Sequence, residues 1–101
     1  MVEVIKSATF AAWLDDLIDI KARARIQTRI DRLALGQFGD AKRLTKQVSE
    51  LRIHYGPGYR VYFTRKGPIV VILLCGGDKG TQAADIRRAV RIADQWDETQ
   101  R

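Results

Sequence analysis

Apolar residues recur at two different periods along this chain, and the change of period divides it. Val2–Ile5 is a short apolar stretch of strand type. Phe10, Trp13, Leu14, Leu17 and Ile18 then recur every three or four residues, the spacing of one helix face, with Ser7 or Thr9 as the cap and Asp15, Asp16 and Asp19 off the stripe. Ala22, Ile26, Ile30 and Leu33 repeat the pattern and predict a second helix over Ala22–Leu35, whose remaining faces carry Arg23, Arg25, Arg29 and Arg32. With only Asp19-Ile20-Lys21 between them, the two stripes predict a helical hairpin, and the arginines read as its solvated face. Residues 36–47 lose the periodicity; Gly36, Gly39 and Asp40 predict a loop, made basic by Lys42, Arg43 and Lys46.

Beyond that loop the period falls to two. Strands are predicted at 48–55, 59–65 and 69–75. The last, Ile69 to Cys75, is apolar without alternation, as in a strand covered on both faces. Lys66-Gly67-Pro68 is a turn, and after Gly76-Gly77-Asp78-Lys79-Gly80 a final helix is expected near Thr81, with Ile86, Ala89, Val90, Ala93 and Trp96 as its stripe. The predicted order is β-α-α-β-β-β-α. This is an α+β fold, with a small antiparallel sheet packed against an N-terminal helical hairpin and a C-terminal helix, expected as a single domain over 1–101.

The segment ELRIHYGPGYRVYF, residues 50–63, sets the faces of that sheet. Taking Gly56-Pro57-Gly58 as a three-residue hairpin loop pairs His54 with Arg60, Ile53 with Val61, Arg52 with Tyr62 and Leu51 with Phe63. One face then holds Leu51, Ile53, Val61 and Phe63 for the core. The other gathers Arg52, His54, Arg60 and Tyr62 on one exposed floor, with Glu50 at its edge. Singly, each has an ordinary explanation: an ion-paired arginine, a bystander histidine, a packing tyrosine. Together they suit RNA backbone chemistry, because guanidinium groups bind phosphate, histidine moves protons near neutrality and tyrosine stacks or donates.

Composition adds a direction. Eighteen Lys and Arg against 12 Asp and Glu leave a formal charge of +6 on 101 residues, which favours a polyanionic partner. One cysteine and one histidine exclude a disulfide framework and the usual Cys/His metal sites, so neither metal nor cofactor is expected. No apolar run is long enough to span a membrane and no signal peptide opens the chain, which gives a cytoplasmic expectation. In GGDKGTQ, Lys79 and the amides of a strand-to-helix turn offer a phosphate contact, although the GxxxxGK[ST] pattern is absent.

ELRIHYGPGYRVYF and LLCGGDKGTQAADI, with FAAWLDDLIDIKARARIQTRIDRL and GDAKRL before them, closely resemble the addiction-module killer proteins, a HigB-like (Gp49-like) branch of the RelE/ParE toxin superfamily. The resemblance implies the β-α-α-β-β-β-α fold. It also implies the toxin of a type II toxin–antitoxin pair, a metal-free, ribosome-dependent mRNA endoribonuclease that cuts in the A site of the 70S ribosome, inhibits translation and is neutralised by an antitoxin of helix-turn-helix type. Carried over by position, Arg60 is the arginine at the scissile phosphate, Arg52 and His54 take basic catalytic positions, and Lys79 is the basic residue after the last strand. Tyr62 or Lys79 would complement His54 in proton transfer, while Lys42, Arg43, Lys46 and Gln82 would contact RNA. Two other readings stay open: a DNA gyrase poison of the ParE kind, which is not a nuclease, and a non-catalytic basic module that binds antitoxin or RNA.

Overall fold

The computed structural model describes residues 1–99, so the last two positions of the expected 1–101 span lie outside the described residues. The chain runs β1 (Glu3–Lys6), α1 (Ala8–Asp16), α2 (Ile20–Ala34), β2 (Ala41–Arg43), β3 (Ser49–Ile53), β4 (Tyr59–Lys66), β5 (Val70–Gly77), a 3-10 turn (Lys79–Thr81) and α3 (Gln82–Thr99). Five strands form one sheet in the order β1-β5-β4-β3-β2. The α+β class and the helix placement are as expected. Two details differ: β1 joins β5 in parallel, so the sheet is mixed, and the basic loop contains a strand, β2, antiparallel to β3.

Local chemistry sets the helix ends. Ser7 caps α1 by accepting from Phe10 N–H at 3.0 Å, and its own hydroxyl donates to the Leu74 carbonyl at 2.7 Å, which fastens the cap to β5. Asp19 caps α2 by accepting from the amides of Lys21 and Ala22, so α2 begins two residues earlier than its apolar stripe suggests. Because α1 ends at Asp16, Ile18 falls beyond the helix and is 96% exposed rather than part of the stripe.

The sheet separates two apolar clusters. Phe10 and Leu14 of α1 and Ile26, Ile30 and Leu33 of α2 pack on Leu51, Ile53, Val61, Phe63, Val71 and Leu73. On the opposite face Ala89 and Ala93 of α3 pack on Val48, Tyr62, Ile72, Leu74 and Cys75. Both faces of β5 are therefore covered, which explains its unbroken apolar run. One extra residue interrupts the β4–β5 ladder: Tyr62 faces Cys75 but Phe63 faces Leu73, leaving Leu74 as a bulge. Past the bulge the alternation is reset. Gly76 lies beneath the Trp13 ring of α1, and Gly77, on the other side, beneath Asp85 of α3.

Candidate functional site

The β3–β4 hairpin turns through five residues, not three. Ile53 pairs with Tyr59, Arg52 with Arg60, Leu51 with Val61 and Glu50 with Tyr62, and the loop is His54–Gly58. Gly56 and Gly58 hold positive φ angles of 56° and 81° there, conformations that a side chain disfavours. Each expected partner moves by two positions. That displacement keeps every strand residue on its predicted face but carries His54 off the strand into the loop.

Arg52 and Arg60 are consequently direct cross-strand neighbours on the α3 side of the sheet, where like charges repel. Each has its own carboxylate. Arg52 donates to Asp40 Oδ1 through Nη2 at 2.8 Å and Nε at 3.1 Å. Arg60 Nε lies 3.8 Å from Glu50 Oε2, a longer pairing between side chains that are 10% and 6% exposed. Neither of those two atoms, nor the Tyr62 hydroxyl, has a hydrogen-bond partner, so a polar seam is enclosed under α3.

The expected open floor of Arg52, His54, Arg60 and Tyr62 is thus corrected. α3 lies across it, so Tyr62 is fully buried in the second apolar cluster and Arg60 is buried as well, with 8% of its surface exposed. Burial, with Glu50 next in effect, pushes the Tyr62 phenol well above its ordinary range. The Arg60 tip points to the hairpin loop, donating from Nη1 to the carbonyls of Gly58 and Tyr59 at 3.3 Å each. Lys79 reaches the same place: a side chain on Gly58 would begin 3.4 Å from Lys79 Cβ and 3.7 Å from Arg60 Nη1.

At the other end of the arginine pair, His54 Nε2 lies 2.5 Å from Asp40 Oδ2 while its side chain is 73% exposed. The bond to His54, followed by that to Arg52, holds the Asp40 carboxyl below the usual carboxylate range. An ionised carboxylate only accepts, so the bond to Asp40 puts a proton on Nε2, and in the neutral ring Nδ1 is then the acceptor. Asp40 thereby ties the histidine to the arginine pair. In the sequence Asp40 reads only as a loop marker, since its position depends on β2 pairing with β3.

Arg29 of α2 supports this arrangement, donating to the carbonyls of Arg52 at 2.6 Å, Phe38 at 3.1 Å and Asp40 at 3.3 Å. It is therefore not part of a purely solvated arginine face. Desolvation lowers its pKa from the ordinary arginine value.

Among the expected RNA-contacting residues, Lys42 is exposed and pairs in register with Glu50 on the α3 side, next to the site. Arg43 and Lys46 lie at the opposite end of β3 and line a separate hollow with Ser49 and Arg65. Gln82 opens α3 and is half-buried. The 3-10 turn is not the amide cradle that GGDKGTQ suggested. Asp78 already accepts from Gly80 N–H at 2.7 Å, and the carboxylate of Asp85 accepts from the Thr81 hydroxyl at 2.5 Å, so only Lys79 offers charge there. Among the described residues no cluster of three or more His, Cys, Asp or Glu could hold a metal ion. None of the described helices is long and apolar enough to cross a membrane.

Residues 12–96 match the family described as Phage derived protein Gp49-like (DUF891). An uncharacterized protein of Haemophilus influenzae (strain ATCC 51907 / DSM 11121 / KW20 / Rd) is 45% identical over 94 residues, spanning 93% of this chain and 95% of its own. The match over most of the fold and all of the site shows that the chain belongs to the Gp49-like family, which falls within the RelE/HigB-like group of toxin–antitoxin toxins and implies a cognate antitoxin.

Proposed function

We propose that the protein is the toxin of a type II pair and acts as a metal-free mRNA endoribonuclease in the ribosomal A site, held inactive by its antitoxin. The observation that carries this reading is the opposed pair Arg52–Arg60, flanked by the Asp40-held His54 on one side and by Lys79 on the other. A phosphate at the hairpin end of the pair, against half-buried Arg52 and the small exposed part of Arg60, meets two guanidinium groups, the charge a pentacoordinate phosphorane requires.

His54 Nδ1 then accepts the proton of the 2′-hydroxyl as that oxygen bonds to the adjacent phosphorus. The P–O5′ bond breaks, and the leaving 5′-oxygen takes a proton from Lys79, the exposed donor beside Arg60 now that Tyr62 is enclosed. The products are a 2′,3′-cyclic phosphate and a 5′-hydroxyl, and solvent returns the proton from His54 to Lys79. Arg52 and Arg60 are too basic to share in the proton transfer.

The test is to induce the protein and map RNA ends and DNA breaks in the same cells. RNA cut within codons, with intact DNA, is expected. Stabilised DNA breaks with uncut message would instead identify a gyrase poison, and binding without any cut would identify a non-catalytic module.

A further inference from the structure

A second basic surface lies on the α2 side of the sheet. Arg25, Thr28, Arg29 and Arg32 of α2 face Ile53, His54 and Tyr55 across a cleft of about 390 Å³ that no carboxylate lines. The arginines fall at i, i+4 and i+7, so one stripe of the helix carries three like charges, an arrangement that costs a helix stability when nothing offsets it. Among the described residues none of the three is ion-paired. Arg29 is committed to carbonyl groups at the base of the cleft, whereas Arg25 and Arg32 are exposed, the former with its guanidinium 4.6 Å from the centre of the Tyr55 ring. The nearby carboxylate, Asp40, is already taken by Arg52 and His54.

We propose that this cleft binds backbone phosphates of the RNA strand next to the position that is cut. His54 belongs to both surfaces, so a strand whose reacting phosphate lies over Arg52 and Arg60 passes His54 directly into the cleft. Arg32 lies seven positions along the helix from Arg25, a rise of about 10 Å, that of about three stacked nucleotides. RNA is favoured over an acidic protein segment by this continuity with the phosphate-binding pair. Arg25 and Arg32 would act as register contacts, each adding one phosphate neutralisation. The proposal rests on the endoribonuclease reading above and adds a binding site to it.

The experiment measures binding of a fully 2′-O-methylated oligoribonucleotide, which cannot be cleaved, between 50 and 300 mM salt. It compares the intact protein with Arg25→Gln, Arg32→Gln and the double variant. The slope of log affinity against log salt is expected to shrink by about 0.7 for each arginine, about 1.4 for both, with affinity near 100 mM salt falling about tenfold in the double variant. Unchanged circular dichroism and melting would show that the fold is kept, and each single variant supplies the same reading should the double one unfold. Intact protein that binds with a slope unaltered in all variants overturns the cleft alone. Intact protein that neither binds RNA nor cuts it on ribosomes overturns both readings. Variants that keep the RNA slope but lose affinity for poly-glutamate mark the cleft as a dock for an acidic protein segment, which also overturns the proposal.

Discussion

Arg52 and Arg60 stand opposite one another in the β3–β4 ladder, each answered by a different carboxylate, Asp40 at 2.8 Å from one and Glu50 at 3.8 Å from the other. The two pairs are unlike in setting. Asp40 is half-exposed, and Glu50 is enclosed under α3, where removal of either partner leaves a charge without compensation, a loss of about 3–5 kcal/mol. Arg60→Ala would therefore confound folding with function. Arg60→Lys keeps the charge but loses the planar fork, and it is expected to fold while lowering the cleavage rate about 100-fold, read from single-turnover RNA cutting on ribosomes.

His54 and Asp40 separate chemistry from stability. Because the histidine is largely exposed, His54→Ala is expected to shift stability by no more than about 0.5 kcal/mol while cutting the rate by about 10²- to 10⁴-fold. Asp40→Asn is expected to cost less activity, since it misorients the imidazole rather than removing it.

Asp40 also leaves a mark on acid stability. Its carboxyl titrates lower in the folded protein than in the unfolded chain, so its contribution is complete above the unfolded value of about 3.9 and disappears as pH falls through the folded one. Urea midpoints measured at pH 6 and pH 3 should accordingly differ less in Asp40→Asn than in the unaltered protein. Equal differences would mean that the carboxylate is not held in solution as described.

Tyr62→Phe decides whether the tyrosine has a part in the reaction. Its hydroxyl is buried without a partner, so deleting it is expected to leave the melting temperature equal or higher, by up to about 1 kcal/mol in stability, and the cutting rate within about twofold. A large loss of activity in a well-folded Tyr62→Phe would show that α3 moves aside during the reaction.

Much of the fold could be read from periodicity because burial on a helix or strand follows geometry: the stripes of α2 and α3, that of α1 apart from Ile18, and the apolar run of β5 are where the sequence puts them. The hairpin faces could be read too, and for a clear reason. A three-residue and a five-residue loop differ by two, so both put Leu51, Ile53, Val61 and Phe63 on one side. The same parity hides the loop length, and with it the fact that Arg52 meets Arg60 while His54 leaves the strand. Two further things were not legible. Whether a polar face is open depends on where α3 lies, and α3 carries its own stripe wherever it docks. Asp40 depends on a strand of three residues, β2, too short to show a period.

The glycine pair of β5 supplies a stability test. A Cβ on Gly76 would overlap the Trp13 ring, and one on Gly77 would overlap the Asp85 carboxylate. Gly76→Ala, which meets a ring, is expected to cost about 3 kcal/mol, lowering the melting temperature by about 12 °C or more. Gly77→Ala, which meets only the ends of the Asp85 and Thr81 side chains, is expected to cost less, about 1–2 kcal/mol. Gly36→Ala, with φ at 84° and open space around it, should cost only about 1 kcal/mol.

The same pair answers a problem of alignment. A strand as uniform as Val70–Leu74 says little about its own position, because sliding it by two residues exchanges one aliphatic side chain for another at small cost. The Leu74 bulge followed by two glycines ends that freedom. Only there can an indole press on the strand from one side while a carboxylate presses from the other, and a slide would bring Cys75 or Asp78 under one of them. This interior strand is thus indexed at a single point, and Arg60, which pairs with Gly77, is delivered to the site by the same indexing.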